Sequence, residues 1–118
     1  MIFICSPYAG DTIRNIQNAQ QYCRKAVDEG YTPIAPHLFF PQFMDDGVPE
    51  ERELALQMGL SLLDLCDEMW VFGEPSTGMK KELAYAVAHH IPIQYFSTIK
   101  MEKTSTDEVE NEAERKNA

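Results

Sequence analysis

Two four-residue stretches, Ile2-Phe3-Ile4-Cys5 and Met69-Trp70-Val71-Phe72, are apolar at every position. Runs so short and so continuous suit strands covered on both faces, not the alternating pattern of a sheet with one wet face. Covering both faces requires helices, and the segments between the runs read as such. Asp11 or Thr12 can cap a helix that the pattern carries to about Glu29, with Ile13, Ile16, Ala19, Cys23, Ala26 and Val27 on one stripe. Gly30 ends it as a left-handed cap. Thr32–Ala35 reads as a second strand, placed at or near an edge by Pro33. Pro49-Glu50-Glu51 opens a helix expected to reach about Cys66, with Leu54, Met58, Leu62 and Leu65 facing inward. The stretch from Asp67 to Phe96 then reads as strand, turn, helix and strand. Its turn is Glu74-Pro75-Ser76-Thr77-Gly78, and its helix carries Leu83, Ala84, Val87 and Ala88 inward and stops near His89-His90, ahead of Pro92.

Strands alternating with helices predict an α/β fold: a small doubly wound, Rossmann-like or flavodoxin-like parallel sheet of four to five strands, with helices on both faces. One domain is expected over residues 1–99. Residues 100–118 carry many charges and one isolated valine, and are expected to form a disordered or frayed tail. Pro36–Val48, with Phe39, Phe40 and Phe43, is expected to be irregular and to serve as a lid or an interface. Exposed aromatics there suit a homodimer or higher homo-oligomer.

The formal net charge of −9 argues against a nucleic acid polymer as partner. No apolar run approaches the ~20 residues of a membrane span. The chain enters a strand at once, so no signal peptide is expected and a cytoplasmic location is. Cys5, Cys23 and Cys66 lie far apart in apolar settings and form no C-x-x-C pair. They read as reduced thiols, and no metal or cofactor is expected.

In a strand–turn–helix unit of this kind, ligands bind at the carboxyl end of the strand and the first turn of the helix. Glu82 lies one turn inside that helix, with Ser76 and Gly78 in the turn. Ser76 adds a hydroxyl to the backbone amides that can hold a phosphate, and Gly78 allows close approach. The plainer alternative makes Ser76 a helix cap and Glu82 an acid offsetting the dipole. Tyr8, Ser6 and Gly10 belong to the loop after the first strand. Ser6 and Gly10 are candidates to contact a phosphate or sugar, and Tyr8 is otherwise a half-buried loop aromatic. That loop is not G-x-G-x-x-G, so no dinucleotide fingerprint is present. Asn15 is read as bracing the loop. His37, on the same edge, is either a substrate contact acting as general acid or a buried histidine bonding the loop backbone. Arg52 is either part of an E-E-R-E salt-bridge ladder or an anion contact. His89-His90 reads as a complement to the helix dipole, not a metal site.

Several of these segments resemble a known group: S-P-Y-A-G-D after the first strand, Asn15, P-H-L at 36–38, C-D-E-M-W-V-F-G at 66–73 and S-T-G-M-K-K-E-L-A-Y-A at 76–86. Over residues 1 to about 97 they resemble an uncharacterised bacterial and phage family, DUF4406-like. That family is similar to the nucleoside 2-deoxyribosyltransferases and the 2′-deoxynucleoside 5′-monophosphate N-glycosidases. The resemblance implies that Glu82, in G-M-K-K-E-L-A-Y-A, attacks the anomeric carbon of a sugar. It implies that Ser76 stands where the glycosidases bind a 5′-phosphate, and that Tyr8 positions the glutamate. The enzymes also carry an aspartate eight residues before the Asp that opens the strand. Here that place is Gly59, and the nearest acid is Asp64 on another part of the helix. The implied function is N-glycosidic bond chemistry on a small nucleoside or nucleotide through a covalent glutamyl-sugar intermediate. The alternatives are a nucleotide-binding module without turnover and an interaction protein of a mobile element.

Overall fold

The computed structural model describes residues 1–97 and the backbone of a short strand at Lys103–Thr104. The rest of the expected charged tail lies outside the described residues. The elements run β1 (Ile2–Cys5), α1 (Thr12–Asp28), β2 (Pro33–Ile34), α2 (Pro36–Phe39), α3 (Pro49–Leu63), β3 (Glu68–Phe72), α4 (Thr77–Ala88), β4 (Ile93–Phe96) and β5 (Lys103–Thr104). The strand order is β2-β1-β3-β4-β5, with β1 to β4 mutually parallel and β5 antiparallel to β4. The four parallel strands stand in the 2-1-3-4 order of flavodoxin-like sheets, as the sequence predicts.

The two apolar runs are the central neighbours, paired from Ile2 opposite Glu68 to Cys5 opposite Val71. Their side chains divide between the faces with period two. Phe3, Cys5, Met69 and Val71 join Leu63 of α3 and Met79 and Ala86 of α4 on one face. Ile2, Ile4, Trp70 and Phe72 join Tyr22 and Ala26 of α1 on the other. There Tyr22 stacks on Phe72 at 4.0 Å between centroids, and Phe72 stacks on Phe96 at 5.0 Å.

Helix positions match the sequence more closely than helix faces do. Asp11 caps α1, its carboxylate accepting from the Arg14 amide at 3.3 Å. Gly30 closes the helix at φ 89°, with the Tyr31 amide donating to the Ala26 carbonyl. Ile13 and Val27, expected inside, are exposed, and Tyr22 takes the core place. In α3, Leu63 and Gly59 face inward and Leu54 is exposed; the helix ends at Leu63, short of the expected Cys66, and Leu65 beyond it is exposed. In α4, Met79 and Ala86 are buried, and Ala84, Val87 and Ala88 are exposed. The Pro36–Val48 segment is more ordered than expected: α2 and a 3-10 turn at Phe40–Gln42 occupy its first half. Phe39, Phe40 and Phe43 contact one another edge to face or tilted, at 5.1–6.0 Å between centroids.

The burial pattern at the end of α3 is open to measurement. Leu63→Ala, which empties a fully buried site, is expected to cost roughly 2–4 kcal/mol in urea unfolding. Leu65→Ala, at a position 65% exposed, is expected to change stability by no more than about 0.5 kcal/mol.

Candidate active site

The parallel sheet places the carboxyl ends of β1, β2 and β3 and the amino ends of α1, α3 and α4 along one edge. β1 leads outward to β2, and β3 lies on the other side of β1, so the chain diverges between β1 and β3. Such a divergence leaves a crevice at the carboxyl ends of the strands.

Two consecutive residues at the end of β1 reach different partners. Cys5 is fully buried, and its Sγ donates to Oε1 of Glu82 at 3.4 Å. Ser6, also buried, is 2.8 Å through its Oγ from Nε2 of His37, just after β2. Burial pushes the Glu82 carboxyl from its ordinary 4.5 up to about 7, and the Cys5 hydrogen bond offsets part of that rise. Burial pushes His37 in the other direction, from 6.5 down to about 4. At neutral pH the imidazole is therefore uncharged, which disfavours it as a proton donor, and its partner is the Ser6 hydroxyl, not the loop backbone. Burial also raises the Cys5 thiol well above its ordinary value, so the sulfur keeps its proton.

Ser76 caps α4: its Oγ accepts from the Met79 amide at 3.3 Å, and its own amide contacts the Met79 sulfur. The cap uses the hydroxyl as acceptor, so its proton remains available to a ligand. Gly78 is exposed, and a Cβ built there meets no atom within 4 Å, so the approach to this helix end is open.

A groove of about 680 Å³ lies along the same edge. It is bounded by Tyr8, Ala9, Gly10 and Thr12 on one side, the Pro41–Gly47 segment on the other, and Glu51 of α3. Gly10 holds φ 97°, which disfavours any other residue at this wall. Asn15 braces the loop, donating through Nδ2 to the carbonyls of Tyr8 and Ala9, both at 3.0 Å. Asp45, Asp46 and Glu51 make the groove acidic, an unfavourable place for a phosphate.

The structure thus joins Glu82 to Cys5 and Ser6 to His37, and sets Tyr8 and Gly10 in the groove wall. Glu82, Ser76 and Gly78 do not line that groove, and the Tyr8 hydroxyl makes no hydrogen bond to Glu82. Arg52 is exposed near the start of α3 and forms none of the ion pairs found among the described residues. Asp64 sits at the opposite end of α3, where it accepts from the Tyr85 hydroxyl at 2.6 Å. Gly59 packs toward Pro36, whose ring lies 3.7 Å from the place a Cβ would take. Among the described residues no group of His, Cys, Asp and Glu side chains is arranged to hold a metal. No helix among them is long and apolar enough to cross a membrane.

A family model for a domain of unknown function, DUF7768, matches residues 1–96. The chain belongs to that family. No curated protein matches this DUF7768 chain in sequence. Its fold is similar to that of a 2-deoxyribosyltransferase from the psychrotolerant bacterium Bacillus psychrosaccharolyticus. The two share 22% identity with a TM-score of 0.62, over 81% of this chain and 71% of the other. That protein is described as a biocatalyst for the synthesis of nucleosides. The likeness establishes the shared α/β architecture.

Cys5 is the site residue that sequence reasoning missed. As the last position of an all-apolar strand it read as core, and nothing local marked it as the partner of a residue 77 positions away.

The two displaced titrations act on stability with opposite sign. Between pH 4.5 and 7 folded Glu82 holds a proton that the unfolded chain has released, so stability falls as pH rises. Between 4 and 6.5 the unfolded chain protonates His37 and the folded one does not, so stability rises with pH. Glu82→Gln removes only the first effect. It is expected to raise stability at pH 8 by up to about 3 kcal/mol, and to change it little at pH 4, in denaturant titrations.

Proposed function

We propose that this protein cleaves or exchanges the N-glycosidic bond of a nucleoside or nucleotide, with Glu82 as nucleophile. The observation that carries this reading is a carboxylate withdrawn from solvent at the carboxyl edge of a deoxyribosyltransferase-like sheet, one turn inside a helix whose amino end is open. Ionised Glu82 would bond to the anomeric carbon as the carbon–nitrogen bond breaks, and the base would leave with that electron pair and gain a proton. Water or a second base would then displace the carboxylate. Ser76 and the α4 amides favour a 5′-phosphate, and the acidic groove would then receive an uncharged part of the substrate. Kinship with the DUF4406 proteins belongs to the same reading, as does pairing of two copies through Phe39 and Phe43, which are 58% and 62% exposed.

A second reading is a nucleotide-binding module without turnover. Gly59 favours it, because that position faces Pro36 and supplies no acid, and a neutral His37 supplies none either.

Incubation with deoxynucleosides and their 5′-monophosphates separates the two. Release of free base that is lost in Glu82→Ala by at least about a hundredfold supports the enzyme. Calorimetric binding without release supports the module. For the enzyme, kcat/KM is expected to rise with pH through about 7, because only the ionised carboxylate attacks.

A further inference from the structure

We propose that Cys5 is the positioning residue for Glu82: its thiol proton aims the carboxylate and favours its ionised form. The inference rests on the reading of Glu82 as nucleophile. It stands on a contact across the fold, from the last residue of β1 to the second turn of α4, with Sγ and Oε1 3.4 Å apart. Cys5 has no exposed surface, so its thiol has no solvent to donate to in place of Oε1. Cys5 lies in the buried cluster of that face with Leu63 of α3, Met69 and Val71 of β3 and Met79 of α4.

Several titratable groups on the elements packed around α4 are engaged elsewhere, and the exposed charges of α3, Glu50, Arg52 and Glu53, make no hydrogen bond or ion pair to Glu82. Asp64 accepts from Tyr85, Glu68 accepts from Trp70 and Gln94, and the Cys66 thiol donates to the Leu62 carbonyl. His37 is bonded to Ser6. Among the described residues Cys5 is thus the titratable side chain that hydrogen-bonds Glu82. A thiol is a weak donor and holds a carboxylate less firmly than a hydroxyl would. Stronger donation favours the ionised form, and no donation favours the protonated one. A thiol at this place keeps Glu82 between those extremes.

The test compares wild type with Cys5→Ser and Cys5→Ala, near-isosteric changes whose folding is checked by thermal unfolding. The Glu82 carboxyl is titrated by carbon NMR and assigned with Glu82→Gln, while base release from deoxynucleoside 5′-monophosphates is followed across pH. The titration midpoint is expected to fall in Cys5→Ser and rise in Cys5→Ala, by roughly half a pH unit or more each way. The acidic limb of kcat/KM should move with it, which a merely structural role would not cause. Coincident midpoints in all three proteins overturn the proposal. If base is released with the same acidic limb in all three, the proposal fails while the glycosidic reading survives. If the midpoints order as expected but no protein releases base, the thiol's control of Glu82 stands and the glycosidic reading fails alone. Should Cys5→Ala not fold, the shift between wild type and Cys5→Ser separates the same outcomes.

Discussion

The whole arrangement depends on burying β1 and β3 on both faces. Eight side chains, four from each strand, are almost fully removed from water. At about 25 cal/mol per Å² of apolar area, this burial is a dominant favourable contribution to folding. It requires helices above and below, and right-handed crossovers then bring the helix amino ends to the carboxyl edge. The site is where it is because the core leaves the chain no other way to connect its strands.

At that edge the same burial acts on polar groups. Glu82 and His37 are withdrawn from solvent without a charged partner, so each is driven toward its neutral form. A helix amino end alone would favour an ionised carboxylate, yet desolvation outweighs the dipole here. The carboxylate is left with one weak donor, the Cys5 thiol, and titrates near neutrality. A group so placed is costly to folding and useful to chemistry, a combination common at functional sites.

Sequence disclosed the architecture well. Apolar runs, turn residues and caps such as Asp11, Gly30 and Ser76 are local signals, and each lies where the pattern indicated. Which helix face turned inward was less legible: Leu54, Leu62 and Leu65 compete with Leu60 and Leu63, and only packing against the sheet chooses between them. The nucleophile candidate was legible only through the resemblance of G-M-K-K-E-L-A-Y-A, because its place in α4 alone suits an acid offsetting the dipole equally well. Its partner was not, because Cys5 and Glu82 meet only after the sheet forms. Nor did sequence show that Ser6 and His37 would satisfy each other, or that the wall facing Tyr8 would be acidic.

Trp70 gives the fold an optical property. It is the only tryptophan in the chain, it is almost wholly enclosed, and its indole nitrogen donates to Glu68. Tyr31 and Phe96 pack around it on the α1 side of the sheet, the side opposite the Cys5–Glu82 contact. Its fluorescence is therefore a reporter of whether the central strands are assembled, and is screened from events at the helix end beyond them. Emission wavelength can follow unfolding of the central strands.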